Sequence, residues 1–90
     1  MKKILIIDDE ISIRETVIEI LELEGYEARQ AADGRQGIQV ARSYLPDLIL
    51  CDVKMPEVDG YGVLAELQKT SHTKWPSKIY FPFLEAQVTL

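Results

Sequence analysis

Two short apolar runs in this chain end in aspartate, and they constrain the fold more than any other feature. Residues 4–7 are followed by Asp8 and Asp9, and residues 48–51 are followed by Asp52. Apolar runs of this length are typical of parallel strands that are covered on both faces. Because the carboxyl ends of parallel strands meet at one edge of a sheet, the sequence predicts that the three carboxylates lie close together there.

Three carboxylates at one sheet edge repel each other unless a cation joins them. Two like charges about 4 Å apart repel by roughly 4 kcal/mol at the effective dielectric of a protein surface. A third carboxylate adds to this unless one group is protonated or an ion binds. Carboxylate oxygens suit Mg²⁺, which keeps some positions for water and phosphate oxygens. The three aspartates therefore predict a site that binds a divalent metal and handles phosphate.

Strand and helix patterns alternate along the chain to about residue 69. After the strand 3–7, further strands are predicted at 26–30 and 48–51. Helices are predicted at 11–24, 34–43 and 61–69, and the apolar positions expected to face the sheet from the first helix are Ile13, Val17, Ile20 and Leu21. Such alternation forms right-handed βαβ units, so the sequence predicts an α/β fold with a doubly wound parallel sheet.

Composition narrows the kinds of partner that the chain could have. Its 90 residues make one domain, and 47% hydrophobic with 28% charged residues is an ordinary balance for a soluble globular protein. The net charge of -5 argues against nonspecific binding to nucleic acid. The single cysteine, Cys51, is expected to be a small buried side chain. No apolar stretch is long enough to span a membrane or to form a secretory signal, so we expect a cytoplasmic protein.

Several residue groups over about 2–69 together resemble the response-regulator receiver domains of two-component signalling. Each group alone is a weak signal, but their order and spacing are specific. The resemblance implies the flavodoxin-like receiver fold, represented here by three β/α units and a fourth strand. The matching groups are Ile4-Leu5-Ile6-Ile7-Asp8-Asp9-Glu10, Gly25-Tyr26, Ala32-Asp33-Gly34, Pro46-Asp47-Leu48-Ile49, and Asp52-Val53-Lys54-Met55-Pro56 with Asp59-Gly60.

The resemblance also implies roles for four residues. Asp52 matches the phosphoacceptor, whose carboxylate takes a phosphoryl group from a sensor histidine kinase or a phosphotransfer protein. Asp8 and Asp9 match the acidic pair that binds Mg²⁺ together with Asp52. Lys54 matches the position whose backbone carbonyl completes the metal shell and whose side chain tunes phosphate lifetime. The implied function is signalling, with slow autodephosphorylation as the only turnover.

Some of these residues also have simpler explanations. An aspartate before a helix can cap free backbone N–H groups, so Asp8 or Asp9 could serve the first helix, although capping leaves Asp52 unexplained. Asp59-Gly60 fits a turn and a helix cap better than a metal ligand. His72, in a polar stretch, fits a solvated loop residue better than a phosphohistidine.

The tail, residues 71–90, differs in character from the receiver-like core, residues 1–70. The apolar run 79–84 is predicted to be a fourth strand at the sheet edge, where Pro82 is tolerable. Its exposed aromatic side chains would favour self-association through that edge. Because the composition changes after Lys69, we expect a receiver sequence that is truncated or frame-shifted after about residue 70.

Two side chains that complete the phosphate site in the family have no equivalent in this tail. Family members carry a Ser or Thr at the end of the fourth strand, where alignment places Glu85, and an acid there would repel a phosphoryl group. They also carry a lysine at the end of the fifth strand, and neither Lys74 nor Lys78 fits that position.

Two other functions remain open on the sequence. A degenerate receiver could act only as a protein-interaction module that docks a kinase through the first helix and the acidic loops. A phosphatase of the haloacid-dehalogenase type also forms an aspartyl phosphate on a parallel sheet. Those enzymes place a second acid two residues after the nucleophile, where this chain has Lys54, so the sequence disfavours that class.

Overall fold

One sheet organises the computed structural model, which describes residues 2–69 and 78–90. In this part of the chain the strand order is β2-β1-β3-β4-β5; the first four strands run parallel and β5 is antiparallel to β4. The predicted α/β receiver fold is confirmed. The strands are β1 (Lys3–Ile7), β2 (Glu27–Ala31), β3 (Leu48–Cys51), β4 (Lys78–Phe81) and β5 (Ala86–Thr89), and the helices are α1 (Ile11–Leu23), α2 (Gly34–Tyr44) and α3 (Gly60–Gln68).

The core lies between one face of the sheet and helices α2 and α3. Side chains alternate across a strand, so every second residue of the central strands points to this face. Full burial of such a side chain contributes about 1.5–3 kcal/mol. A Cβ on Gly37 of α2 would lie 2.5 Å from Cδ1 of Ile7, which shows how closely this helix approaches β1. The core residues include Leu5, Ile7, Ile49, Cys51, Ile79 and Phe81 from the strands and Ile38, Ala41, Val63 and Leu67 from the helices.

The opposite face of the sheet is covered by α1, and only in part. The expected buried side of this helix was partly wrong: Val17 and Leu21 are half-buried, but Ile13 is 41% exposed and Ile20 is 55% exposed. The buried residue of α1 is Arg14. Within the described ranges α1 packs on β1 and β2, whereas α2 and α3 pack together on the other face. Its outer apolar side chains therefore remain in contact with solvent.

The tail joins the same sheet in a way that differs from the prediction. The strand predicted at 79–84 ends at Phe81, and Pro82 begins a short 3-10 helix, Pro82–Leu84. Proline has no backbone N–H for a strand ladder, and its fixed φ suits the first residue of a helical turn. Glu85 then adopts a left-handed conformation (φ 49°), and the chain reverses into β5.

This reversal corrects the prediction that the fourth strand forms the sheet edge. Strand β4 lies between β3 and β5, with Phe81 paired to Ala86 and Lys78 paired to Thr89. The outer strand is β5, so self-association through an exposed β4 edge is not available in this fold. His72 and Lys74 lie outside the described residues, and the division of the chain at residue 70 stays a prediction.

Among the described helices, none combines the length and the apolar character needed to cross a membrane.

Candidate acidic site

Strands β1 and β3 end side by side and bring Asp8, Asp9 and Asp52 together. The parallel register pairs Ile7 with Cys51, so the residues that follow both strands leave the sheet at the same level. One carboxylate oxygen from each aspartate lies within 4.8 Å of the other two. The convergence expected from the sequence is present in the structure.

The surroundings of the acidic pair argue against a simple capping role. The residue at the N-cap of α1 is Glu10, whose side chain makes no capping hydrogen bond. Asp8 Oδ1 accepts a hydrogen bond from the Glu10 backbone N–H at 2.9 Å, which closes the turn before the helix. Asp8 is half-buried and Asp9 is exposed. The acidic pair therefore shapes the loop between β1 and α1, and the carboxylates remain beside Asp52.

Electrostatic repulsion is built into the cluster. The pKa of Asp52 is raised above its ordinary value, first by partial burial and then by the negative charge of Asp8, with a smaller contribution from Asp9. Backbone N–H groups of Val53 and Lys54 hydrogen-bond to the carboxylate and oppose the shift. Three oxygen donors that repel one another are the donor set that a hard divalent cation relieves. The residues present thus fit a Mg²⁺ ion.

A cavity of about 490 Å³ opens at the cluster. It is large enough for a hydrated ion and a phosphoryl group. Lys54 is the one cationic side chain on its walls within the described part of the chain, and Leu84 forms an apolar part of the wall. The lining residues are Asp8, Asp9, Glu10, Ile13, Asp52, Val53, Lys54 and Leu84.

Comparison with known proteins places the chain in a family. A family model described as the response regulator receiver domain matches residues 4–80. The chain belongs to this family. Sequence relatives include a probable transcriptional regulator, ycf27, of Cyanophora paradoxa, 49% identical over 70 residues, and sporulation initiation phosphotransferase F of Bacillus subtilis, 40% identical over 67 residues. These matches cover 78% and 74% of this chain, but only 29% and 54% of the two relatives.

Solved structures show the same receiver fold. The response regulator TrrA of Thermotoga maritima, solved in complex with Mg²⁺ and BeF, matches with a TM-score of 0.80 and 38% identity. The chemotaxis protein CheY4 of Vibrio cholerae matches with a TM-score of 0.80 and 36% identity. Each alignment covers 90% of this chain and about two thirds of the other, 68% for TrrA and 67% for CheY4. The receiver fold is therefore shown.

The position level with Asp52 on the neighbouring strand is occupied by a proline. The β3–β4 pairing ends with Leu50 opposite Tyr80, and two residues further along each strand lie Asp52 and Pro82. Pro82 lines a groove beside Asp52, and Leu84 lines the acidic cavity. The sequence alignment that placed Glu85 at this point is wrong, because the 3-10 turn carries Glu85 into the reversal before β5.

The loop after Asp52 is held by the start of α3. Asp59 Oδ1 accepts a hydrogen bond from the Gly62 backbone N–H at 2.8 Å, so the interpretation of Asp59-Gly60 as a turn and helix cap is confirmed. The Gly60 backbone N–H donates to the carbonyl oxygen of Val53 at 2.9 Å. These contacts fold the loop back onto the end of β3 and hold the residues that follow Asp52.

Sequence reasoning missed one residue of this receiver site. The sequence patterns do not single out Arg14, yet its side chain is buried and its Nη1 donates to the backbone carbonyl oxygen of Asp8 at 2.7 Å. Its Nε donates to Oε1 of Gln30 at 2.8 Å. A signal was available: Arg14 is the one basic residue between 11 and 24, a segment that otherwise carries only acidic charges.

Proposed function

We propose that this receiver domain accepts a phosphoryl group on Asp52, with Mg²⁺ bound by Asp8, Asp9, Asp52 and the backbone carbonyl of Lys54. The observation that carries the proposal is the convergence of three carboxylate oxygens within 4.8 Å at the mouth of an open cavity. Helix capping needs one carboxylate and does not account for three. A metal ion that also binds phosphate accounts for all three, because each carboxylate can be one of its ligands.

The proposed chemistry uses the Asp52 carboxylate as the nucleophile. One of its oxygens bonds to phosphorus as the phosphorus–nitrogen bond of a phosphohistidine breaks; the imidazole nitrogen keeps the electron pair of that bond and takes a proton from water. The bound metal would supply positive charge that shields the phosphoryl oxygens from the attacking carboxylate. The Val53 and Lys54 backbone N–H groups favour the ionised form of Asp52, which is the form that attacks phosphorus.

The proposed partner is a sensor histidine kinase or a phosphotransfer protein. Membership of the response-regulator family supports this partner class, and the net charge of -5 disfavours a nucleic acid as the partner of this domain. The proposal includes no catalytic turnover other than slow loss of phosphate from Asp52, and it places the domain in the cytoplasm. The chain spans under a third of the ycf27 relative, so the proposal covers phosphoryl acceptance and no output function.

Intact mass measurement after incubation with acetyl phosphate and Mg²⁺ tests this function. We expect one phosphoryl adduct on the 90-residue chain, lost in Asp52→Asn and strongly reduced in Asp9→Asn or without Mg²⁺. Asp47→Asn is the matched control, because Asp47 lies at the other end of β3 and its Oδ2 accepts the Lys3 N–H, a contact that asparagine can keep. An adduct that persists in Asp52→Asn contradicts the assignment.

A second candidate, a degenerate receiver that only binds proteins, is favoured by one observation. Pro82 and Leu84 lie beside the acidic cluster, and neither side chain can hydrogen-bond a phosphoryl group. The same mass measurement separates the two functions. Mg²⁺ binding without any adduct in the wild-type chain supports the interaction module and rejects phosphotransfer.

A further inference from the structure

Arg14 is the buried charged residue of the described structure, with 9% of its surface exposed. It lies in the first turn of α1, where its backbone N–H donates to the carbonyl oxygen of Glu10 at 3.1 Å. The side chain turns back toward the end of β1 and bridges the loop after β1 and strand β2. Its Nη1 donates to the Asp8 carbonyl oxygen and its Nε donates to Gln30 Oε1, at 2.7 and 2.8 Å.

This arrangement differs from that of a structural ion pair. The ion pairs found among the described residues involve Arg35, Arg42 and Lys69, all on exposed side chains, and none involves Arg14. A guanidinium is expensive to bury without a carboxylate on it, and an apolar side chain fills such a position at lower cost. What an apolar side chain cannot supply is the hydrogen bond to Asp8 and a positive charge next to the acidic cluster.

The contacts of Asp8 show what that hydrogen bond holds. Its backbone N–H donates to the carbonyl oxygen of Ala31 at 3.2 Å, its carbonyl accepts from Arg14, and its Oδ1 accepts from the Glu10 N–H. The carbonyl belongs to the peptide group between Asp8 and Asp9. Arg14 therefore fixes the plane of the peptide from which both acidic side chains diverge.

We infer that Arg14 is a positioning residue for the acidic cluster: it orients the Asp8–Asp9 peptide so that both carboxylates face Asp52. Gln30 in turn orients the guanidinium through the Nε contact. This inference rests on the proposed metal site for its effect on affinity. Its effect on the peptide itself exists without any metal, so the two can be tested separately.

The metal test compares Mg²⁺ dissociation constants by calorimetry on the full chain. Partners of metal ligands typically contribute ten- to hundred-fold to affinity, and we expect Arg14→Met to weaken Mg²⁺ binding by about ten-fold or more. Arg14→Lys keeps a donor and a charge and should recover part of the loss. Arg35→Met is the matched control, since it removes the same charge from an exposed ion pair and should leave affinity unchanged.

The metal-free test follows the Asp9 amide resonance by NMR, because this N–H belongs to the peptide whose carbonyl Arg14 holds. We expect it to shift in Arg14→Met and in Gln30→Met, and to stay in place in Arg35→Met. A role in stability alone would not single out this amide. Gln30 is exposed, so its variant keeps the test available if Arg14→Met does not fold.

The outcomes separate the two proposals. A wild-type chain that binds no Mg²⁺ overturns the proposed metal site, and the Asp9 amide then decides the role of Arg14. Wild-type Mg²⁺ affinity in a cooperatively folded Arg14→Met, or an unmoved Asp9 amide in the variants that fold, overturns the positioning role.

Discussion

The backbone N–H of Asp52 donates a 2.9 Å hydrogen bond to the carbonyl oxygen of Ile7. This bond ties the end of β3 to the end of β1 at the level where both strands give way to aspartate. The backbone, and not a choice of side-chain rotamer, therefore sets the spacing between Asp52 and the acidic pair. The sheet holds the carboxylates together whether or not a metal is bound. Their mutual repulsion therefore destabilises the metal-free folded state.

Removing the charge of Asp52 should stabilise the metal-free protein. The pKa of Asp52 is raised in the fold by burial and by Asp8, so its ionised form destabilises the folded state at neutral pH. We expect Asp52→Asn to melt a few degrees higher, since about 1 kcal/mol moves the midpoint by roughly 4–8 °C in a domain of this size. Thermal melts in EDTA measure this, with Asp47→Asn as the control.

The stability difference between Asp52→Asn and wild type should depend on pH. The destabilisation by Asp52 is complete above its folded-state pKa, diminishes as the pH falls through that value, and is absent below its ordinary value. The stability difference between Asp52→Asn and wild type should therefore shrink on acidification. If acidification instead makes wild type lose stability relative to Asp52→Asn, the pKa of Asp52 is lowered in the fold and the prediction is wrong.

Mg²⁺ should make wild type more stable than Asp52→Asn, the reverse of the order expected without metal. An ion that binds only the folded chain stabilises it by about 2.7 kcal/mol at a hundred times its dissociation constant. We expect Mg²⁺ to raise the melting midpoint of wild type well above that of Asp52→Asn, and EDTA to restore the metal-free order. Na⁺ at matched ionic strength controls for screening of the cluster. Equal shifts with both salts would argue for screening without a specific site.

Gly60 is predicted to be intolerant of a side chain. A Cβ there would lie 2.6 Å from the Asp52 carbonyl oxygen and 2.8 Å from Cε1 of Phe81. We expect Gly60→Ala to lower the free energy of unfolding by about 1–3 kcal/mol, because backbone and ring must both shift. Urea unfolding measures it. Gly62→Ala is the control in the same helix, where the nearest atom is the Val58 Cγ1 at 3.0 Å and the helix gains propensity.

The sequence predicted those parts of the molecule in which a local pattern has one physical solution. Short apolar runs that end in aspartate can form parallel strands with the acids at one edge, and Asp59-Gly60 can cap a helix. Ile20 shows what such patterns do not predict. Helical periodicity identifies the apolar side of a helix, but it does not say whether another element covers that side. Within the described residues α1 packs on β1 and β2 while α2 and α3 pack on the other face, and Ile20 stays exposed.

The misplaced features depend on long-range geometry. Pro82 was read as a tolerated residue within a strand, whereas its missing N–H ends the strand and the chain turns back. The local sequence of residues 86–89 does not predict that they pair antiparallel with β4. Arg14 follows the same logic, since its partner Gln30 is brought to it by the pairing of β1 with β2.

The thiol of Cys51 should be unreactive in the native protein. Burial, followed by the charges of Asp52, Asp8 and Asp59, raises its pKa to about 12. Very little of the thiol is then the reactive thiolate at pH 8, and the side chain is 1% exposed. We expect a disulfide reagent to label Cys51 only as fast as the chain opens, and stoichiometrically in denaturant.

Labelling rates also report on the acidic edge, because Cys51 directly precedes Asp52. If opening of this edge limits the reaction, Mg²⁺ should slow labelling in wild type and leave the rate unchanged in Asp52→Asn. Burial is the largest cause of the raised thiol pKa, so Asp52→Asn alone should not make the native thiol reactive. Rapid labelling of the folded wild-type chain would contradict the packing of β3 against the core.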